Sequence, residues 1–140
     1  MTEEKPNPKQ TSPDAHWHKG RCHCGRVQFE VRAPADVTLS RCNCSICQMS
    51  GFLHLIVGAE DFRLLTGTDN LTTYTFNTHT ARHMFCRTCG IKPFYRPRSH
   101  PDGWSVNFNC VTKTGFERIV IEDFDGQNWE ESIGGLLARD

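Results

Sequence analysis

From residue 27 onward, apolar and polar side chains alternate with a period of two. Val27, Phe29 and Val31 fall on one side and Gln28, Glu30 and Arg32 on the other, the pattern of a strand with one face buried and one in water. The same short, β-branched and aromatic signature recurs at 37–41, 52–57, 62–66, 72–76, 82–85, 93–95, 104–110 and 118–124. Turn-forming groups separate most of these stretches, among them Gly67-Thr68-Asp69-Asn70, Pro101-Asp102-Gly103 and Asp125-Gly126. This rhythm predicts an all-β fold. In 104–110 the alternation assigns Trp104, Phe108 and Cys110 to the core face and Asn107 and Asn109 to the other. Helical spacing is confined to Trp129, Ile133 and Leu136 or Leu137 behind an Asn128 cap, which predicts a short C-terminal helix despite Gly134 and Gly135. Residues 45–50 lack alternation and are predicted to form one further helical turn after Cys44.

Residues 1–15 hold Pro6, Pro8 and Pro13 among charged and amide side chains, with no aliphatic cluster to offset the entropy of ordering them. They are expected to be a disordered tail, and 16–140 a single β domain. With 140 residues, 37% of them hydrophobic, the chain can bury one modest core. Sixteen basic and 16 acidic side chains cancel, so the basic field that draws nucleic acid or anionic membranes is missing. The apolar run at 52–57 is interrupted by His54 and is too short to cross a bilayer. The opening MTEEKPNPKQ has no apolar signal region, so a cytoplasmic location is expected. In a reducing compartment the eight cysteines point to metal ligation or catalysis, not to disulfides.

Their spacing supports that reading. Cys22-His23-Cys24-Gly25 and Cys86-Arg87-Thr88-Cys89-Gly90 are each a cysteine pair closed by glycine. A metal knuckle bends the backbone so that amide N–H groups face thiolate sulfur, and glycine tolerates the dihedrals this demands. The two pairs together supply the four thiolates of a structural zinc: Cys22, Cys24, Cys86 and Cys89. Cys42-Asn43-Cys44-Ser45-Ile46-Cys47 places three cysteines in six residues without a glycine knuckle. Three thiolates can hold a second zinc and leave its fourth position to substrate, or a distant residue can close the site; His54, His79, His83 and Cys110 are the candidates. An ion already carrying three thiolates is a mediocre activator of water but can bind and deprotonate an incoming thiol. Neither a thioredoxin-like βαβ context nor a ferredoxin spacing surrounds these cysteines.

Other polar residues are less specific. His54, amid Leu53, Leu55, Ile56 and Val57, is a candidate acid–base residue beside a plainer structural role. Arg41 immediately precedes the triple-cysteine loop, and Arg96 and Arg98 flank Pro97. Their guanidinium groups are candidates for holding the carboxylates of a small substrate, with solvated surface arginine as the simpler role.

CHCG, then CNCSIC, then TTYTFNTHTARHMFCRTCG and FYRPRSHPDGW together resemble the family that contains glutathione-dependent formaldehyde-activating enzyme and centromere protein V, over about Gly20 to Trp129. TTYTFNTH and FYRPRSHPDG look closer to the centromere protein V branch. The resemblance implies an Mss4-like all-β fold of several small coiled antiparallel sheets. It also implies a structural zinc at Cys22, Cys24, Cys86 and Cys89, and a second zinc at Cys42, Cys44 and Cys47. For the family's enzymes it implies a zinc-dependent carbon–sulfur lyase or synthase acting on a small thiol adduct, in the reversible union of glutathione and formaldehyde to S-hydroxymethylglutathione. The competing expectation is a non-enzymatic zinc-binding module for protein interaction. An unpaired sheet edge would suit a homodimer.

Overall fold

The described residues form ten strands, nine of them where the sequence pattern placed strands. The computed structural model describes residues 15–76 and 79–125. The predicted tail, Ala15 apart, and the predicted C-terminal helix lie outside the described residues. In chain order the elements are β1 His16–Arg21, β2 Gln28–Ala33, β3 Asp36–Cys42, α1 Ser45–Ser50, β4 Leu53–Val57, β5 Phe62–Thr66, β6 Leu71–Tyr74, β7 Arg82–Cys86, β8 Phe94–Arg96, β9 Trp104–Asn107 and β10 Arg118–Phe124.

They form two sheets. The smaller runs β1-β2-β5 and is antiparallel; the larger runs β10-β3-β4-β9-β8-β7-β6. All its pairs are antiparallel except β3 with β10, which run parallel from Asp36↔Arg118 to Cys42↔Phe124. That pair departs from the all-antiparallel expectation, because the chain crosses the fold before adding its last described strand.

Between the sheets lies the core: Val27, Phe29 and Val31 from the small sheet side meet Leu39, Leu55, Phe94 and Val106 from the large one, all fully buried. Phe29 stands edge-on to Phe94 with centroids 5.5 Å apart, and Phe62 packs between Phe94 and Trp104 at 4.9 and 4.6 Å. Burying each such ring contributes about 1.5–3 kcal/mol.

β1 was not predicted, and its sequence explains why. Its buried positions carry His18 and Gly20, which do not register as hydrophobic. Gly20 pairs with Phe29 across β1 and β2, and the phenyl ring lies where a side chain would be: a Cβ built on Gly20 would stand 2.2 Å from the ring. β9 ends at Asn107, short of the predicted 104–110. There the Asn107 side chain accepts a hydrogen bond from the Asn109 N–H at 3.1 Å and turns Phe108–Cys110 into a 3-10 turn. The helical turn at 45–50 forms as α1. Gly51, at φ 63°, closes it by donating its N–H to the Cys47 and Gln48 carbonyls.

Gly20→Ala is expected to destabilise the fold by about 1–3 kcal/mol, since Phe29 must leave its place in the core to admit a methyl group. Chemical denaturation of the two proteins measures the difference, and equal stability would refute the close packing.

Candidate metal centres

Two turns that interrupt strands bring four distant cysteines together. Cys22 leaves the end of β1 and Cys86 ends β7, so the two knuckles meet although 62 residues separate Cys24 from Cys86. The turns share one design. Cys22 N–H donates to Val27 O and Cys86 N–H to Ile91 O, while Gly25 and Gly90 N–H return to the carbonyls of Cys22 and Cys86. Both glycines have positive φ, 85° and 78°, where other residues are strained.

Inside the knuckles amides point at sulfur: Val27 N–H at Cys22 Sγ (3.4 Å), and Thr88 and Cys89 N–H at Cys86 Sγ (3.4 and 3.5 Å). Asn70 Nδ2 adds a further donor to Cys86 Sγ at 3.3 Å. Cys22 Sγ is 3.6 Å from Cys24 Sγ, which is 3.6 Å from Cys86 Sγ, and all four sulfurs lie within 4.8 Å of one another. Thiolates bound at about 2.3 Å to one tetrahedral ion stand about 3.8 Å apart. A disulfide would need about 2.05 Å. The donor set therefore fits a soft divalent ion. Burial pushes the Cys22 thiol up to about 11, a cost that a cation would offset.

The second cluster gathers on a shorter span. Cys42 ends β3, Cys44 caps α1 and Cys47 lies buried within the helix. Their three sulfurs also lie within 4.8 Å of one another, and no fourth histidine, cysteine or carboxylate among the described residues joins them at that spacing. Hydrogen bonds from Cys42 and Cys47 pull the Cys44 thiol down to about 2, whereas hydrogen bonds to Cys42 and Cys44, together with burial, push Cys47 up. Three thiols this close cannot all ionise unless a cation shares them.

Beneath this loop the large sheet shows its polar face. Strand register sets Tyr74, His83, Tyr95 and Ser105 in one row across β6, β7, β8 and β9, with His54 opposite Asn107 on the next pair. His54 is buried and uses both ring nitrogens: Nε2 is 3.2 Å from Cys47 Sγ, and Nδ1 is 2.8 Å from Ser105 Oγ and 3.4 Å from the Tyr95 hydroxyl. Burial, then Lys92, holds its pKa down to about 3. A neutral ring that donates from Nε2 to Cys47 and accepts at Nδ1 satisfies every contact. His83 Nδ1 accepts from Lys92 Nζ at 2.6 Å, and its ring stacks on Tyr95 at 4.7 Å.

The residues predicted from sequence are thus distributed unevenly. His54 adjoins the three-cysteine cluster. His83 spends its Nδ1 on Lys92. His79 is exposed, at φ 58°, with Nδ1 hydrogen-bonded to the Thr75 hydroxyl. Cys110 is half-buried; burial, helped by negative charge on Cys22 and Cys89, raises its pKa to about 11, so it borders the four-cysteine cluster. Arg41 sits beside Cys42 in an exposed ion pair with Asp123, Nε to Oδ1 2.9 Å. Arg96 does not face the three-cysteine loop. Strand alternation turns it away from Tyr95, and its guanidinium lies 3.7 Å over Trp104 and donates to Gly103 O. Arg98 lies in the connection between β8 and β9. Asn70, Lys92, Tyr95 and Ser105 were not singled out by sequence. Only the register that aligns Tyr95 and Ser105 with His83 would have exposed that row.

Comparison with known proteins finds a matching family model, curated relatives and solved structures. A sequence model of the glutathione-dependent formaldehyde-activating enzymes matches residues 17–124, which include both cysteine clusters. A Halomonas elongata protein with the provisional name of glutathione-dependent formaldehyde-activating enzyme is 30% identical over 79 residues, 51% of this chain and 50% of that protein; the match spans about half of the relative's length. The crystal structure of a Rhodobacter sphaeroides protein superposes with a TM-score of 0.62 at 38% identity, covering 74% of this chain and 99% of that one. No helix among the described residues is long and apolar enough to cross a membrane.

Ser105→Ala is expected to cost about 1–3 kcal/mol, because Ser105 is fully buried and its hydroxyl makes the shortest hydrogen bond to His54 Nδ1. Denaturant unfolding measures the loss; a neutral substitution would mean that Tyr95 alone suffices for that nitrogen.

Proposed function

This chain belongs to the family of glutathione-dependent formaldehyde-activating enzymes, and on that premise we propose that it reversibly joins a small thiol to an aldehyde through a carbon–sulfur bond. Glutathione and formaldehyde are the pair that the family description suggests. The observation that carries the proposal is the contrast between the two clusters: one gathers four sulfurs, the other three with no fourth protein ligand at the same spacing among the described residues. Four thiolates close a structural zinc site, and three leave a position for substrate.

In this reading Cys22, Cys24, Cys86 and Cys89 would hold a structural zinc, and Cys42, Cys44 and Cys47 a working one. Zinc held by the second set would supply a positive centre that lowers the pKa of an incoming thiol and keeps its sulfur in place. The bond changes are simple. The thiol loses its proton, sulfur attacks the carbonyl carbon, the carbon–oxygen π pair moves to oxygen, and that oxygen takes up a proton to become a hydroxyl.

The chain's own groups hold this chemistry in place. His54 Nε2 donates to Cys47 Sγ and fixes the direction of that sulfur. Ser105 and Tyr95 in turn fix the ring. Arg41, one residue before Cys42, is the arginine best placed to receive a substrate carboxylate: its partner Asp123 is exposed, and such surface pairs contribute only about 0–1 kcal/mol. A cytoplasmic setting, where the thiol is abundant and reduced, suits the reaction.

Elemental analysis with native mass spectrometry is expected to find two zinc ions. NMR exchange should show faster interconversion of glutathione and formaldehyde with their adduct when the protein is added. Cys44→Ser should reduce this acceleration by about 100-fold or more, since even the outer partners of metal ligands are worth 10–100-fold, while the domain stays folded. Cys22→Ser should instead cost the fold itself. Two inert ions with no acceleration would overturn the enzymatic reading in favour of a zinc module that binds a protein partner. Equal unfolding of both variants would overturn the division between the two sites.

A further inference from the structure

The reaction outlined above leaves one buried charge without a task. Lys92 is only 8% exposed. It follows the second knuckle, and its Nζ donates to His83 Nδ1 at 2.6 Å while resting 4.1 Å from the Tyr95 ring centroid and 4.9 Å from that of Phe52. Among the described residues no carboxylate pairs with it: the ion pairs are Arg32–Asp61, Arg41–Asp123 and Arg63–Glu30. Burying an ammonium without a counter-ion is costly.

The surroundings indicate where its counter-charge lies. The two rings under Lys92 also pack against His54, which in turn touches the three-cysteine cluster. Phe52 is 4.6 Å from the His54 ring, the Tyr95 hydroxyl is 3.4 Å from His54 Nδ1, and His54 Nε2 is 3.2 Å from Cys47 Sγ. These contacts link Lys92 to the sulfurs through the Phe52 and Tyr95 rings and then His54. Burial pulls its pKa down to about 8, and negative charge on Cys47 and Cys44 pulls the other way. Its direct partner, His83, is a neutral acceptor kept so by burial and by Lys92 itself, with a pKa near 4. A neutral acceptor anchors the ammonium without consuming its charge. A carboxylate in that place would have cancelled it.

We propose that Lys92 is the counter-cation of the three-cysteine cluster and makes that site prefer an anionic incoming ligand, a thiolate or a similar small anion, to a neutral one. The proposal rests on the functional reading above, in which the three sulfurs hold a divalent ion with one position left. Three thiolates on such an ion carry a net charge of −1, and a fourth anionic donor makes it −2. In a poorly hydrated interior that second charge needs a cation nearby. Lys92 acts here through its field, as a positioning residue, and touches no reacting atom.

The test uses the full chain with cobalt(II) replacing zinc, so that ligand entry is read from visible absorption and not from turnover. Thiocyanate and imidazole serve as the anionic and neutral probes. Lys92→Met should weaken thiocyanate relative to imidazole by about tenfold or more, the scale on which a nearby charge shifts such equilibria, while Lys92→Arg keeps the wild-type ratio. Lys92→Gln, which retains an N–H for His83, repeats the comparison should the methionine variant lose its fold. An unchanged ratio in a folded, cobalt-loaded variant overturns the proposal, even with glutathione turnover intact. A shifted ratio without turnover on glutathione and formaldehyde upholds Lys92's role and removes the assigned reaction. If neither probe alters the cobalt spectrum, the position is closed and the proposal falls.

Discussion

A strand shows its neighbours two opposite faces, and the large sheet depends on keeping those faces different. On one side Leu55, Phe94 and Val106 are fully buried against the small sheet. On the other, one residue along each strand, stand His54, Tyr95 and Ser105. A slip of one residue in any central strand would exchange the two sets. It would put histidine and serine into the apolar core and leave phenylalanine under the cysteine loop. The packing that stabilises the fold and the polar row that supports the site are thus set by the same register, so the site cannot drift while the core holds.

The cysteine knuckles act on a different scale. Cys22 and Cys86 lie at the ends of strands in different sheets, and bringing their sulfurs together ties the small sheet to the large one. The exposed ion pairs add little to this, since a pair such as Arg63–Glu30 contributes about 0–1 kcal/mol. The better-placed charge is Arg32 on Asp61, at 2.6 Å with the carboxylate fully buried. That carboxylate still leaves Oδ2 without a hydrogen-bond partner, so the pair marks a cost as well as a contact.

Much of this was legible in the sequence because the signals were local. Cysteine spacing located both clusters, and period-two alternation located nine of the ten strands. What escaped was non-local. β1 could not be read from His18 and Gly20, whose burial depends on Phe29 filling the space above a glycine. Arg96 was a candidate because it flanks Pro97 soon after the second knuckle, yet the pleat assigns it to Trp104. Tyr95, Ser105 and Lys92 come together only through pairing across β4, β7, β8 and β9, and no window of sequence holds that information. The resemblance to a known family reached the cysteines but could not supply this row.

The parallel pairing of β10 with β3 bears on how the molecule is made. Cys42 is matched with Phe124, and Asn43 N–H donates to Phe124 O at 3.2 Å, so the strand that leads into the three-cysteine loop gains its outer neighbour more than eighty residues later. On a ribosome the four-cysteine clasp has all its parts once residue 89 has emerged, whereas the border of the other loop waits for residue 124. The four-cysteine cluster can therefore assemble early on a nascent chain, and the three-cysteine loop is bounded only after β10 has followed.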